Sequence, residues 1–250
     1  MVAKHGWRDM FFLHWAWPAA RLAPLLPPGL VLDRFDGDAF LTVAPLRIEH
    51  MRPRGFPSFL GLSFDEITVR TYVKGLGGRG MYFLDVESGS ALASLIGRRL
   101  LGLPYEHAKV KHRVSGREIS YESRRADSER KAMAVRATRT TETSHVPCSP
   151  LERFLLDRRS VFVDRGNASK GHHLVEVVLQ HPPLRVRAGT AVVEDASLLI
   201  TEHLGAAPAA RPIVPCAEPV DVGVCSPQIV GASVTHLSDF KANNRLIANA

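Results

Sequence analysis

Residues 66–73 alternate strictly between two kinds of side chain, and this pattern constrains the fold more than any other feature of the chain. A period of two residues is the repeat of a β-strand, whose successive side chains point to opposite faces. The apolar set, which belongs against a core, is Ile67, Val69, Thr71 and Val73. The opposite set is Glu66, Thr68, Arg70 and Tyr72. An acid, a guanidinium and a phenol on one strand face indicate more than a solvated surface.

Short strand-like segments bounded by turn residues make up most of the remaining chain. Asp36-Gly37 predicts a hairpin turn, and the glycines from Gly75 to Gly80 predict another hairpin loop. The predicted strands are residues 30–35, 39–48, 66–73, 81–86, 105–114, 118–124, 131–141, 161–163, 174–179, 184–187 and 220–224.

Four helices are predicted between these strands. The first covers residues 18–26 and the second residues 90–101, each followed by Pro or Gly residues that end it. Ser149-Pro150-Leu151-Glu152 is a capping box that opens the third, to about Arg159. The fourth runs from about Val192 to Leu204. The residues predicted to share one face of the second helix are Leu92, Leu95, Ile96 and Leu100.

Runs of strands with interspersed helices are typical of a β-rich α+β fold, with a curved antiparallel sheet or barrel. The length of 250 residues allows one large domain. We predict that this domain covers residues 1–225. Residues 226–250 are small, polar and weakly patterned, so they are treated as a C-terminal tail of uncertain structure, either a subunit contact or an unrelated extension.

The composition places the chain among ordinary globular proteins, with 45% hydrophobic and 23% charged residues. Residues 10–17 form the best apolar run, but His14 interrupts it and Pro18 closes it, so neither a membrane span nor a signal peptide is expected. The three cysteines, Cys148, Cys216 and Cys225, have no metal-ligand or disulfide spacing. A cytoplasmic location is therefore expected, and neither a metal nor another cofactor is predicted.

The net charge of +7 raises the question of an anionic partner. Residues 98–139 contain nine arginines and three lysines, but five acids lie in the same stretch. Aromatic residues for base stacking are sparse, and no nucleic-acid signature accompanies the charge. Binding of an anion or a nucleic acid through these strands is therefore kept only as the weakest of the alternatives.

Motifs of the common enzyme classes do not occur in the chain. Nucleophile-elbow, Walker and His-Glu-x-x-His patterns are absent. Residues 75–80 match the dinucleotide-binding glycine pattern, but a strand follows where a helix N-terminus is required. A nucleotide is therefore not predicted from these glycines.

Seven segments in a fixed order resemble one known family. They are Phe12-Leu13-His14-Trp15, Leu26-Pro27-Pro28-Gly29-Leu30, Asp36-Gly37-Asp38-Ala39, Val69-Arg70-Thr71-Tyr72-Val73, Gly80-Met81-Tyr82-Phe83, Gly102-Leu103-Pro104-Tyr105 and His181-Pro182-Pro183-Leu184. The resemblance, over residues 7–224, is to the YqjF-like domain-of-unknown-function family. It implies the acetoacetate decarboxylase-like fold, a closed or nearly closed antiparallel barrel around a small cavity.

The resemblance also implies which chemistry is missing. Acetoacetate decarboxylase forms a Schiff base on the first lysine of a Pro-Lys-Lys sequence, and the matching stretch here is Pro104-Tyr105-Glu106. A phenol cannot form an imine, and the neighbouring cationic residue that tunes the amine is replaced by an acid. The enzyme's arginine is matched by Ala16, whereas its cavity glutamate is matched by Glu66. The resemblance therefore does not extend to decarboxylation through a Schiff base.

The candidate site combines these residues. Glu66 is predicted as the proton carrier and Tyr105 as its catalytic partner, with Arg70 or Tyr105 holding an oxyanion. Glu66 and Arg70 are four strand residues, about 13 Å, apart, so each needs another partner if it is buried. The remaining residues predicted to bind substrate are Tyr82, His14, His107 and Lys109. Lys109 and Lys111 would share the strand face of Tyr105, so either could in principle supply the Schiff-base amine that is missing at Tyr105. The alternative for this polar set is structural hydrogen bonding.

These inferences predict a protein that binds a small organic acid or ketone in a barrel cavity. If it is an enzyme, a lyase-like or isomerase-like activity by acid–base chemistry is expected. The alternative is a non-catalytic ligand-binding or interaction protein on an enzyme-derived scaffold. A small-molecule ligand is the expected partner, a membrane is not, and a homo-oligomer is left open.

Overall fold

A computed structural model describes residues 1–125, 132–165, 173–199, 204–205 and 210–231. Strands dominate these residues, with three short helices. The helices are α1 (Ala19–Leu22), α2 (Ala91–Ile96) and α3 (Pro150–Leu156). The strands are β1 (Ala3–Arg8), β2 (Leu13–Trp17), β3 (Val31–Leu32), β4 (Ala39–Pro53), β5 (Leu62–Gly75), β6 (Gly78–Ser88), β7 (Tyr105–Ser115), β8 (Glu118–Arg125), β9 (Ala132–Arg139), β10 (Ser160–Asp164), β11 (Leu174–Gln180), β12 (Val186–Asp195), β13 (Pro215–Ala217), β14 (Val220–Val224) and β15 (Gln228–Ile229).

Seven strands form a closed ring. Each is hydrogen-bonded to two neighbours in the order β6-β10-β11-β14-β1-β4-β5, and β5 pairs back to β6. The predicted β-rich fold with a closed barrel-like sheet is therefore confirmed. One detail differs, because β10 runs parallel to β6 rather than antiparallel.

A second sheet leaves the ring at β6. There β7 pairs in parallel with β6 over only three residues and continues as the antiparallel order β7-β8-β9-β12-β13. This confirms the predicted meander of three strands. The sheet folds back over the outer face of β4 and β5, and isolated bridges tie Phe11 to Cys216 and His14 to Ile213.

Both faces of β5 are therefore buried, although only one was predicted to face a core. Ile67 and Val69 pack with Trp15, Ile119 and Met133 between the ring and the second sheet. The opposite face, which includes Tyr72, points to the ring interior, where a second cluster contains Trp7, Phe12, Phe40 and Phe154. The polar residues of the candidate site lie beside this interior cluster.

The second and third predicted helices are confirmed, the third with its capping box at Ser149 and Glu152, although it ends at Leu156. Residues 19–25 form α1 and a short 3-10 turn. The four residues predicted to share one face of α2 are exposed, namely Leu92, Leu95, Ile96 and Leu100. The buried residues of α2 and the turn that follows it are Ala93, Ser94 and Gly97.

The fourth helix, predicted from Val192, is wrong over its described part. Residues 192–195 extend β12 and pair with β9, and only a 3-10 turn at Ser197–Leu199 follows. The alternation of β12 explains this result, because from Arg187 to Asp195 every second residue is less exposed to solvent than its neighbours, which is the period of a strand. Residues 200–203 lie outside the described residues.

Two further observations concern the chain ends and the membrane. β15 lies in the segment predicted as a tail, and it pairs with β11; residues 232–250 lie outside the described residues. Among the described helices, none has the length and apolar character needed to cross a bilayer.

Candidate functional site

A small cavity of about 90 Å³ lies in the ring interior beside the polar face of β5. Three polar residues of β5 border it, together with Tyr105 at the start of β7. The rest of the wall is mainly apolar. The lining residues are His5, Trp7, Met10, Ala44, Leu46, Ile48, Met51, Glu66, Thr68, Arg70, Phe83, Leu101, Leu103, Tyr105, Val161, Val177, Leu179 and Val224.

Glu66 and Tyr105 meet at this cavity. The Tyr105 hydroxyl donates a hydrogen bond of 2.8 Å to Glu66 Oε2. Glu66 is buried, with 5% of its surface exposed. The two predicted catalytic residues are therefore in direct contact, although they are 39 positions apart in the sequence.

The environment of Glu66 favours its neutral form near neutral pH. Burial raises the pKa of the Glu66 carboxyl to about 7, against the smaller lowering effects of the Tyr105 hydrogen bond and the Arg70 charge. A carboxyl with a pKa near the working pH can both give and take a proton. Burial and the adjacent carboxylate raise the pKa of Tyr105 well above its ordinary value, so Tyr105 remains a donor.

Arg70 points into the same cavity without a carboxylate partner. Among the described residues it makes no hydrogen bond or ion pair, and its Nε is buried with no acceptor. Its guanidinium carbon lies 5.3 Å from the centre of the Phe12 ring, a cation–π distance. Opposite Val69 and Arg70, β6 carries one extra residue, because Val69 pairs with Asp85 and Arg70 with Phe83. Such β-bulges commonly redirect side chains beside functional sites.

The segment between α2 and β7 sets the position of the Tyr105 ring. Gly97 packs directly on this ring, and a Cβ on Gly97 would lie 2.3 Å from a Tyr105 ring carbon. Gly97–Leu101 forms a π-helical turn, and Gly102 follows with a φ of 71°, which favours glycine. Leu101 and Leu103 of the same segment line the cavity.

His14 is buried beside this site but does not line the cavity. Its Nδ1 lies 2.8 Å from Thr42 Oγ1 and 3.2 Å from the Tyr72 hydroxyl, which in turn donates to the Leu155 carbonyl. The His14 ring stacks on Phe12, the ring that Arg70 covers. Burial, and then the charge of Arg70, hold its pKa well below the ordinary value, so His14 is neutral. His14 therefore supports the site through Phe12 and does not contact a ligand in the cavity.

Besides His14, three predicted substrate-binding residues do not line the cavity, namely Tyr82, His107 and Lys109. His107 and Lys109 are exposed on β7, because β7 leaves the ring after its first residues. Lys111 is also exposed and is paired with Glu122 at 3.6 Å. Tyr82 lines a separate cavity of about 340 Å³ near Gly102 and Asp164. Among the described residues that line the 90 Å³ cavity, none is a lysine.

Sequence reasoning did not identify three contributors. His5 is buried on β1, lines the cavity, and has its pKa lowered by burial to about 4. Phe12 and Gly97 support Arg70 and Tyr105, respectively. A glycine inside a predicted apolar helix was the only available signal for the close packing at Gly97.

The fold resembles solved structures at low sequence identity. One is the crystal structure of acetoacetate decarboxylase from Legionella pneumophila, at a TM-score of 0.66 and 14% identity, covering 94% of this chain and 89% of that chain. Another is the enduracididine biosynthesis enzyme MppR complexed with pyruvate, at a TM-score of 0.67 and 12% identity, covering 92% and 91%. These likenesses establish the acetoacetate decarboxylase-like fold.

A closer sequence relative is the uncharacterized protein YqjF of Bacillus subtilis, strain 168. It is 33% identical over 132 residues, which are 52% of this chain and 54% of YqjF, so the match spans about half of that relative. The DUF2071 family model, described as an uncharacterized conserved protein, matches residues 4–221. This span includes part or all of each of the seven ring strands and confirms the resemblance found in the sequence, so the chain belongs to the DUF2071 family.

Proposed function

We propose that the ring cavity binds a small organic acid or ketone and exchanges a proton with it through Glu66, without a Schiff base. The observation that carries this proposal is a cavity shared by a buried carboxyl, a phenol hydrogen-bonded to it, and an unpaired guanidinium. Pyruvate in MppR is a ligand of this class on the same fold. A cytoplasmic location accompanies the proposal as a prediction.

The roles follow from the charges and the cavity volume. An unpaired buried guanidinium is costly in free energy, and a carboxylate ligand would supply its missing counter-charge. The 90 Å³ volume is far below the roughly 300–1,000 Å³ of drug-sized sites, so the ligand has only a few non-hydrogen atoms. Ionised Glu66 would take a proton from the carbon beside the ligand carbonyl, and Tyr105 or Arg70 would stabilise the oxyanion of the resulting enolate.

Pyruvate in deuterated water tests this function. We expect its methyl protons to exchange for deuterium in the presence of the full chain, at a rate that rises as the pH passes through about 7, because the base must be ionised. Proton NMR measures the exchange. Glu66→Gln should abolish the exchange and keep binding, whereas Arg70→Met should weaken binding.

A matched control uses the exposed Glu122→Gln, which should leave the exchange unchanged. Borohydride treatment with pyruvate should yield no adduct on any lysine in peptide mapping. An adduct would contradict the proposal, as would an exchange rate that is the same in Glu66→Gln.

Non-catalytic binding on an enzyme-derived scaffold is the second candidate, and it is supported by the buried Arg70 Nε, which has no acceptor among the described residues and is available to an acid whether or not a reaction follows. It predicts that pyruvate or a similar acid raises the melting temperature and that Arg70→Met removes the rise. Under this alternative, no proton exchange occurs. The two candidates are therefore separated by the same NMR measurement.

The basic stretch at residues 98–139 gives little support to nucleic-acid binding. In its described part, several basic groups are paired with acids: Arg98 with Glu106, Lys111 with Glu122, and Arg125 with buried Glu87. Paired cations have less charge available for phosphates. Retention of an oligonucleotide by the protein that falls steeply with salt concentration would support this alternative.

A further inference from the structure

A second chemical cluster lies outside the ring, where the chain enters α3. His145 Nε2 is 2.8 Å from Glu152 Oε1, and Cys148 Sγ is 3.6 Å from Glu152 Oε2. One ligand atom from each of the three residues lies within 4.8 Å of the others. All three side chains are at least partly accessible to solvent.

We propose that His145, Cys148 and Glu152 bind a divalent cation of the zinc class. An imidazole nitrogen, a thiolate sulfur and a carboxylate oxygen are the three donor types that zinc takes in proteins. Oxygen-seeking cations such as Mg²⁺ and Ca²⁺ do not favour a sulfur ligand. On binding, the Cys148 thiol loses its proton to the solvent and ligates the metal as a thiolate.

The separations are close to those of a tetrahedral site. Zinc bonds of about 2.0–2.1 Å to nitrogen and oxygen and about 2.3 Å to sulfur place nitrogen and oxygen about 3.3 Å apart, and sulfur and oxygen about 3.5 Å apart. The sulfur–oxygen distance of 3.6 Å is to Glu152 Oε2, whereas the nitrogen–oxygen distance is to Oε1, so the carboxylate has to turn to present one oxygen to a metal between the two donors. The nitrogen–oxygen distance of 2.8 Å has to open by about half an ångström, as a metal replaces the proton of that hydrogen bond.

The backbone holds the donors in place before any metal arrives. His145 forms two backbone hydrogen bonds of 2.8 Å with Val186 on β12. The backbone N–H groups of Cys148 and Ser149 donate to Glu152 Oε2, and the Ser149 hydroxyl accepts from the Glu152 N–H. The capping box thus orients the Glu152 carboxylate beside Cys148.

The surroundings leave room for a fourth ligand. His145 and Glu152 border a cavity of about 350 Å³ between α3 and β12. Arg187 also lines this cavity, but its guanidinium is paired with Glu218, which offsets a charge that would repel a cation. A site with three protein ligands keeps its fourth position for water or a bound molecule, and this cavity adjoins that position.

This proposal departs from the prediction that the chain binds no metal. That prediction rested on the spacing of the potential ligands along the sequence. The spacing His145-x2-Cys148-x3-Glu152 matches no common metal motif, because only the capping box and the bridge to β12 bring the three side chains together.

Titration of the full chain with Co²⁺ tests the site, because Co²⁺ reports a tetrahedral thiolate site by visible bands and a near-ultraviolet charge-transfer band. We expect both bands to saturate at one Co²⁺ per chain and to disappear when Zn²⁺ is added. Cys148→Ser should remove the charge-transfer band, and His145→Gln should weaken Zn²⁺ binding about tenfold or more.

The matched control is Cys225→Ser, which changes a half-buried cysteine away from the cluster and should leave both bands intact. Glu152→Gln keeps an acceptor for the capping box and so removes the ligand charge without removing the helix start. Circular dichroism confirms that each variant is folded. Failure to see the bands in the parent chain, or the same bands in Cys148→Ser, would overturn the proposal.

Discussion

Among the described residues, two arginines are buried in the ring interior, and their surroundings differ. On the α3 side, which comprises Asp33, Tyr72, Phe154 and Arg158, the guanidinium of Arg158 lies 2.8 Å from the Asp33 carboxylate. It also donates to the Phe154 carbonyl and stacks over the Phe154 ring at 4.4 Å. The cation is therefore matched by an anion and by an aromatic face.

On the cavity side, which comprises Glu66, Arg70 and Tyr105, the guanidinium has an aromatic face, and its Nε has no acceptor among the described residues. Glu66 favours its neutral form through burial and does not form an ion pair with Arg70. The difference teaches that burial of a charge does not identify its role. A cation paired with a buried carboxylate stabilises the fold, whereas a cation without an ion-pair partner beside a cavity is available to a ligand.

The largest effect is expected on the α3 side. Arg158→Met leaves the Asp33 carboxylate buried with only Arg79 nearby, which is largely exposed. Loss of one partner of a buried pair should lower the free energy of unfolding by about 3–5 kcal/mol. Urea unfolding at pH 6 measures this, with Arg79→Met as the control that should cost less than about 1 kcal/mol.

The pH dependence of stability tests the cavity side. Because the pKa of Glu66 is raised from 4.5 to about 7 by folding, its contribution is fully present below pH 4.5 and is lost as the pH rises to about 7. The loss is about 3 kcal/mol. Glu66→Gln should remove this fall, and the difference between the two unfolding curves isolates it from the histidines. Parallel curves would show that Glu66 titrates normally.

Gly97→Ala tests whether the packing of Tyr105 matters. The added Cβ would collide with the Tyr105 ring, so a loss of about 1–3 kcal/mol is expected. The displaced ring should also weaken the hydrogen bond from Tyr105 to Glu66. Because this bond lowers the pKa of Glu66, its weakening should raise that pKa above about 7, which NMR titration of the carboxyl group measures. Gly89→Ala is the matched control, because its Cβ would meet only ordinary contacts, the nearest at 3.5 Å. Equal effects of the two changes would remove the special role of Gly97.

The smallest effect on stability is expected for Arg70→Met. At pH 6 most Glu66 is neutral, so Arg70 has no counter-charge whose loss would be felt. The free energy of unfolding should change by less than about 1 kcal/mol, in either direction. A loss as large as that of Arg158→Met would mean that Arg70 is structural, and the comparison of the two sides would fail.

Much of the fold was predictable because it depends on local patterns. The alternation at Glu66–Val73, the glycine hairpin and the capping box at Ser149 each specify an element within a few residues, and each is confirmed. The closed ring of strands was predicted from the family resemblance. The prediction of the fourth helix was wrong because the residues around Val192 follow the two-residue period of a strand and not the period of a helix.

The site was predictable only where the residues lie on one strand or at a matched family position. Glu66, Arg70 and Tyr105 met these conditions and share the cavity. Strand alternation also placed Lys109 with Tyr105, but it could not show that β7 leaves the ring after a few residues. Phe12, His5 and the His145 cluster depend on contacts between distant segments, which a single sequence does not reveal.

The burial of both faces of β5 has a consequence for redesign of the cavity. A change that enlarges the cavity from β5 shifts a backbone whose other face supports the packing of the second sheet. Leu101 and Leu103 line the cavity from the segment that joins α2 to β7, outside β5. Diversification of ligand preference on this scaffold is therefore best directed at these two side chains, with β5 and Tyr105 left intact.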